Sequence, residues 1–76
     1  MTEQMTARAY YNRGTAKVRS GDHKGAITDY DKAIELNPKY AMAYSNRGVA
    51  KYYLGNHKGA VKDFDKVKSL RKEKVR

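Results

Sequence analysis

Residues 44–70 read YSNRGVAKYYLGNHKGAVKDFDKVKSL and repeat, with substitutions, the sequence YYNRGTAKVRSGDHKGAITDYDKAIEL of residues 10–36. The second copy begins 34 residues after the first, and the two align without an insertion or a deletion. Both keep Asn-Arg-Gly in the first half and His-Lys-Gly-Ala in the second half. A fixed period of this length is typical of proteins that stack one small structural unit.

Each copy predicts two helices separated by a tight turn. Ser20 and Gly21 interrupt the first copy, because glycine can adopt the left-handed conformation that ends a helix, and Asp22 can cap the helix that follows. Gly55 and Asn56 have the same places in the second copy. The predicted helices cover residues 7–19, 23–36, about 40–54, and from 57 into the tail.

Two further expectations concern the ends of the chain. Either Thr2 or Thr6 can cap the first helix, since a threonine side chain can accept from a free backbone amide. The tail, residues 69–76, is basic and offers only Leu70 and Val75 for packing. It can extend the fourth helix or fray, and we expect fraying near its end.

A set of small and aromatic residues recurs in both copies and resembles the tetratricopeptide repeat (TPR), a helix-turn-helix unit of this period. The residues that carry the resemblance are Gly14 and Gly48 in the first helices, Ala26 and Ala60 in the second helices, Tyr30 and Phe64 four residues later, and Pro38 after the first copy. The resemblance implies an all-α fold of two tandem helix-turn-helix (TPR-like) hairpins, a fragment of a right-handed α-solenoid. Tyr30 and Phe64 are expected to supply the bulk of each hairpin core.

The chain departs from the family pattern at four positions of the first helices. Arg13 and Arg47 stand where the family usually has a large apolar residue, and Lys17 and Lys51 stand where it usually has a tyrosine. Long basic side chains can lay their stems on apolar surface while the charge stays in water. We therefore expect these four side chains to be partly buried stems with solvated charges.

Length and composition limit the organisation of the molecule. The 76 residues predict a single domain, residues 1–76, with repeats at about 7–40 and 41–72. The chain has no cysteine, so disulfides and thiolate metal sites are excluded. It shows neither a secretory signal pattern nor an apolar run of the roughly 20 residues that span a bilayer, and we expect a cytoplasmic protein without membrane contact. The net charge of +9 favours anionic partners.

The sequence contains no recognisable catalytic or metal-binding pattern. His23 and His57 each begin a second helix without another ligand at helical spacing, so we predict no metal site and no cofactor. No grouping of nucleophile, base and acid recurs, and the glycines stand singly, which predicts a non-enzymatic protein. The aspartate pairs 29/31 and 63/65 are expected on solvated faces beside Lys32 and Lys66, because residues two apart on a helix point in different directions.

The resemblance also implies a binding surface, since the first helices of successive TPR units line a concave face that takes up a peptide or a segment of a partner protein. Matched to this chain, that face holds Arg8, Tyr11, Asn12, Thr15, Val18 and Arg19 of the first helix, and Met42, Ser45, Asn46, Val49, Tyr52 and Tyr53 of the third. The two copies differ most at these positions, as a shared scaffold with a divergent lining requires. Asn46 also matches an asparagine with which some family members hold the carboxylate of an acidic chaperone tail.

Two alternatives to a peptide-binding face remain open. A basic stripe on the last helix and tail can follow the phosphates of RNA or another polyanion, and its residues are Lys58, Lys62, Lys66, Arg71 and Lys72. Alternatively, the chain is a structural unit that forms a homo-oligomer, because stacked repeats usually need about three copies for stability and this chain has two. Ile34 is expected to face the next hairpin, whereas Lys68 at the equivalent place makes the last unit polar.

Overall fold

Four helices form two antiparallel hairpins in the computed structural model, which describes residues 5–74. The helices are α1 (Ala7–Arg19), α2 (His23–Leu36), α3 (Ala41–Tyr53) and α4 (His57–Lys74). Each predicted helix is confirmed, and α3 is one residue shorter at either end than expected. The alternative cap at Thr2 and the fraying of the last two residues concern positions outside the described residues.

The turns and caps follow the predicted chemistry. Thr6 caps α1, with its side chain accepting from the amide of Ala9 at 3.1 Å. Gly21 adopts a φ of +87°, and Gly55 does so at +89°, values at which a Cβ would be strained. Asp22 caps α2 by accepting from the amide of Gly25 at 2.9 Å, and Asn56 accepts equivalently from Gly59 at the start of α4.

The hairpins stack through α2 and α3, so that α1 packs on α2, α2 on α3, and α3 on α4. The fully buried centre of this stack contains Tyr30 with Ala26 and Ala33 of α2 and Ala43 of α3. Ile34 packs against the same cluster and therefore faces the second hairpin, as predicted. The small residues allow the helix backbones to approach closely, and Tyr30 fills the space between them.

The prediction that Phe64 fills the second core in the same way is only half right. Phe64 does pack against Gly48, but it remains 36% exposed, whereas Tyr30 is 0% exposed. The physical reason is the order of the stack: α3 covers Tyr30 from the far side, and among the described residues no helix takes that place beside Phe64.

The expectation that all four paired aspartates are solvated is wrong for two of them. Asp29 and Asp63 are buried, at 2% and 3% exposure, one in each hairpin. Arg13 donates to Asp29 through Nε and Nη2 at 2.9 and 2.8 Å, and Lys17 adds an ion pair at 3.1 Å. The four basic side chains are partly buried, as expected, but their charges pair with buried carboxylates instead of standing in water.

The second hairpin repeats this cluster and extends it. Arg47 donates to Asp63 through Nε and Nη2 at 2.9 and 2.7 Å, and Lys51 lies 3.3 Å from the same carboxylate. In addition, Nη1 of Arg47 donates to Asp31 of α2 at 2.7 Å. One guanidinium therefore joins the two helices of its own hairpin and links that hairpin to the first.

Candidate partner-binding groove

A groove runs between α1 and α3 on the face where the first helices of the two hairpins lie side by side. Its volume is about 230 Å³. The residues that line it are Thr15, Val18, Arg19, Tyr30, Asn46 and Val49. Five of these six were predicted as concave-face residues, so the structure brings the centre of the predicted surface together. We call this feature the α1–α3 groove.

Hydrogen bonds fix the base of the groove. The hydroxyls of Thr15 and Tyr30 share a bond of 2.9 Å, and the side-chain amide of Asn46 donates to the hydroxyl of Tyr11 at 3.0 Å. The Tyr11 ring in turn packs against Tyr40, with centroids 5.1 Å apart. Burial raises the pKa of Tyr40. The groove is therefore preorganised by contacts that need no ligand.

All charged residues on the two helices that form the groove are basic. Neither α1 nor α3 contains an aspartate or a glutamate. The cations nearest the hairpin cores are neutralised by Asp29 and Asp63, and the hydrogen bond from Arg13 is the main cause of a lowered pKa at Asp29. Arg19 forms no ion pair within residues 5–74 and lines the groove with an exposed side chain. The groove thus presents a free positive charge beside two valines.

The remaining predicted residues lie around the groove without lining it. Arg8, Asn12 and Met42 are exposed, and Ser45 is half-buried. Tyr53 stacks on His23 with ring centroids 4.9 Å apart, and Tyr52 lies edge-on to His57 at 4.6 Å. The two tyrosines are therefore partly engaged with the turns at the starts of α2 and α4. Their role in binding stays a prediction.

Tyr30 is a groove residue that sequence reasoning assigned to the core alone. A signal was present: the first copy has Thr15 and Tyr30 where the second has Val49 and Phe64. A hydroxyl appears at both positions or at neither, as a hydrogen-bonded pair requires. The differences at Thr15/Val49 and Tyr30/Phe64 are therefore coupled changes in packing.

The basic stripe predicted on α4 lies on the exposed surface of that helix. Lys58, Lys62 and Lys66 are exposed and four residues apart, and none of them forms an ion pair among the described residues. Lys66 lies 5.9 Å from the ring centroid of Tyr44. Arg71 borders a separate pocket with Leu70 and Glu73, and Lys72 is exposed. A depression of about 410 Å³, lined by His57, Lys58, Val61 and Lys62, lies along this regularly spaced set of solvated cations.

Two absences concern residues 5–74. Within that range no group of three histidine, cysteine, aspartate or glutamate side chains is placed to hold a metal ion. None of the four helices has both the length and the apolar character that crossing a bilayer requires.

Comparisons with known proteins agree with this architecture. A family model described as TPR repeat matches residues 14–55, and one described as tetratricopeptide repeat matches residues 41–75. The chain belongs to the tetratricopeptide repeat family, whose members mediate protein–protein interactions and are typically non-enzymatic scaffolds. No curated protein matches the sequence.

Two solved structures show the same fold. Crystal structures of MamA match with TM-scores of 0.87 and 0.82, each at 35% identity over 90% of this chain. The match covers 40% and 37% of the respective MamA chains, so this chain spans about two fifths of their length. The predicted all-α fold of two tandem TPR-like hairpins is confirmed by these matches and by the four helices.

Proposed function

We propose that the chain binds a short acidic segment of a partner protein in the α1–α3 groove. The observation that carries this proposal is an apolar surface made by exposed Val49 and half-buried Val18 beside the guanidinium of Arg19, which has no ion pair among the described residues, on helices that contain no acidic residue. A segment with an aliphatic side chain and a neighbouring carboxylate complements both features. Tetratricopeptide repeats generally bind protein partners. The assignment of partner binding to the α1–α3 groove is the part that we propose.

The contacts that such a segment would make can be stated from the lining. Val18 and Val49 offer apolar surface to an aliphatic side chain, and Arg19 can hold a carboxylate through two parallel hydrogen bonds. Thr15 has a hydroxyl at the base of the groove beside them. The volume of about 230 Å³ is below the range of roughly 300–1,000 Å³ usual for small-molecule sites. A side chain of a peptide fits this space better than a cofactor does.

The test uses two labelled peptides that share a central leucine, one with flanking glutamates and one with flanking lysines. We expect the acidic peptide to bind with a Kd on the order of 100 µM, because the groove is small compared with a standard interface. The basic peptide should bind at least tenfold more weakly, since Arg19 repels it. Fluorescence anisotropy at near-physiological salt measures both affinities.

Two variants locate the site, and a third controls for charge. Val49→Asp places a carboxylate in the groove and should weaken the acidic peptide about tenfold. Arg19→Gln should weaken it about threefold or more. Lys62→Gln removes the same charge from the stripe on α4 and should leave the affinity unchanged. Equal losses from Arg19→Gln and Lys62→Gln would mean that general attraction, rather than the groove, holds the peptide.

Polyanion binding through the stripe on α4 is the competing outcome of the same experiment. If the acidic peptide is held by Lys58, Lys62 and Lys66, Lys62→Gln weakens it and Val49→Asp does not. Single-stranded RNA would then also bind, and its affinity would fall steeply with salt. We favour the groove because hydrogen bonds fix its base, whereas the depression along the stripe is lined by exposed side chains alone.

A further inference from the structure

The last helix carries a carboxylate whose counterpart in the first hairpin is used to join two hairpins. Asp31 on α2 and Asp65 on α4 have equivalent places, 34 residues apart. Asp31 accepts from Nη1 of Arg47 at 2.7 Å, and this bond bridges α2 to α3. Asp65 is exposed and forms no ion pair among residues 5–74. The outer side of α4 therefore presents an acceptor without the donor that its counterpart has.

The first helix carries the matching donor. Arg13 and Arg47 both use Nε and Nη2 to hold the buried aspartate of their own hairpin. The remaining Nη1 of Arg47 donates to Asp31. The Nη1 of Arg13 has no partner in the described part of the chain. Correspondingly, the Arg13 side chain is 51% exposed and that of Arg47 only 16%.

The apolar parts of the two ends show the same relation. Ala43 and Ala50 of α3 are fully buried where α3 packs on the first hairpin. Their counterparts on α1 are Ala9, which is half-buried, and Ala16, which is exposed. At the other end, Phe64 is exposed where Tyr30 is covered. Each end of the molecule displays one half of the contact that α2 and α3 already make internally.

We propose that a second copy of this chain docks head to tail, with α1 of one copy lying on the second hairpin of the next. In this register Nη1 of Arg13 donates to Asp65 of the partner subunit, in the way that Arg47 donates to Asp31 within the chain. The contact is heterologous, because the two surfaces differ, and it does not close on itself. It therefore builds open chains of increasing length rather than a dimer.

Two substitutions make this contact weaker than the internal one. Lys68 replaces the apolar Ile34, and Arg19 replaces Tyr53, which stacks on His23 in the internal contact. Association therefore occurs at concentrations well above those at which the monomer is folded. The proposal is independent of the α1–α3 groove, and a monomer can bind the acidic peptide whether or not it assembles.

Sedimentation velocity on the full chain from about 10 µM to about 1 mM tests the proposal, since assembly depends on protomer concentration. The mean molar mass should rise continuously past that of a dimer. Asp65→Arg sets two guanidinium groups against each other and should weaken association at least tenfold. Glu35→Arg is the matched control, because it makes the same charge change on α2, which this register leaves free of the second copy.

Three results would overturn the proposal. They are a monomer at every concentration, a mass that stops at twice the monomer, and equal effects of Asp65→Arg and Glu35→Arg. Circular dichroism at about 10 µM, where the chain is monomeric, checks that both variants keep their helices. Peptide affinity measured at that concentration separates a failure of assembly from a failure of the groove.

Discussion

Gly14 and Gly48 have equivalent places in the two hairpins, but the aromatic rings that they contact differ in how far they can move. A Cβ at Gly14 would lie 2.9 Å from Cε1 of Tyr30, and one at Gly48 would lie 2.7 Å from Cε1 of Phe64. Tyr30 is fully buried and hydrogen-bonded to Thr15, so it has nowhere to move. Phe64 has an exposed edge and can shift toward solvent.

Gly14→Ala should therefore lower the free energy of unfolding by about 1–2 kcal/mol, the usual range for overpacking a core. Gly48→Ala should change it by less than about 0.5 kcal/mol, because relief of a helical glycine stabilises by roughly 0.5–1 kcal/mol and offsets a small displacement of Phe64. Urea denaturation of the two variants measures both values. Equal losses would show that Phe64 is held as firmly as Tyr30.

The buried carboxylate of Asp29 predicts a pH dependence of stability. The hydrogen bond from Arg13 is the main cause of its lowered pKa, with Lys17 adding to the effect. A group whose pKa is lower in the folded state stabilises that state above the ordinary carboxyl range, and the contribution is lost as pH falls through the lowered value. Asp29→Asn should cost about 2 kcal/mol at neutral pH.

The difference in unfolding free energy between wild type and Asp29→Asn should stay constant above about pH 5, begin to shrink near the ordinary carboxyl pKa of about 3.9, and be lost as pH falls through the lowered pKa of folded Asp29. Urea denaturation across this pH range measures it. Asp65→Asn, which removes a carboxylate without an ion pair in the described chain, serves as the control and should differ little from wild type at any pH. A difference that persists unchanged at low pH would contradict the assigned ion pairs.

At the scale of elements, α3 holds the molecule together because Arg47 contacts both neighbouring helices. Its hydrogen bond to Asp63 is the main cause of its raised pKa, and Asp31 adds to the effect. Arg13 has the same role in the first hairpin without the contact to another hairpin. Arg47→Gln should therefore cost about 3 kcal/mol and Arg13→Gln clearly less, because Arg47 is more buried and its loss leaves two carboxylates without their partner.

Thermal unfolding of the two glutamine variants compares them directly, since both remove one charge from equivalent places. The Arg47→Gln variant should have the lower Tm and should lose its helices at temperatures where Arg13→Gln is folded. A lower Tm for Arg13→Gln would mean that the contact between hairpins adds nothing measurable to stability.

The helices could be predicted from the sequence because the signals that bound them are local. Pro38, Gly21 and Gly55 end helices through backbone geometry alone, and the 34-residue period transfers each boundary from one copy to the next. The burial of Asp29 and Asp63 was missed because periodic patterns count apolar residues and treat aspartate as solvated. A signal existed in the recurrence of arginine, lysine and aspartate at fixed spacing in both copies.

Only part of the candidate site could be predicted from the sequence. A resemblance assigns a face of a helix, but it does not give the depth at which side chains lie between two helices. Thr15, Asn46 and Val49 meet at the groove because α1 and α3 run side by side. Met42 and Tyr53 also lie on α3 but do not line the groove. Which residues of α3 line the groove depends on how α3 packs on α2.

At the scale of the whole molecule, the buried ion pairs and the proposed binding groove use different side chains. The buried ion pairs use the acidic side chains of α2 and α4, and they leave the α1–α3 groove without a carboxylate. Its one unpaired cation, among the residues described, is Arg19. This separation lets the groove be positively charged although every basic residue near the cores is paired.

The most direct test of the account is an amide chemical-shift map of the isotopically labelled chain, titrated with the acidic peptide. We predict saturable shifts centred on Thr15, Val18, Arg19, Asn46 and Val49, with little change along α4. Shifts confined to Lys58, Lys62 and Lys66, or shifts that never saturate, would contradict the α1–α3 groove as the site at which this chain takes up a partner.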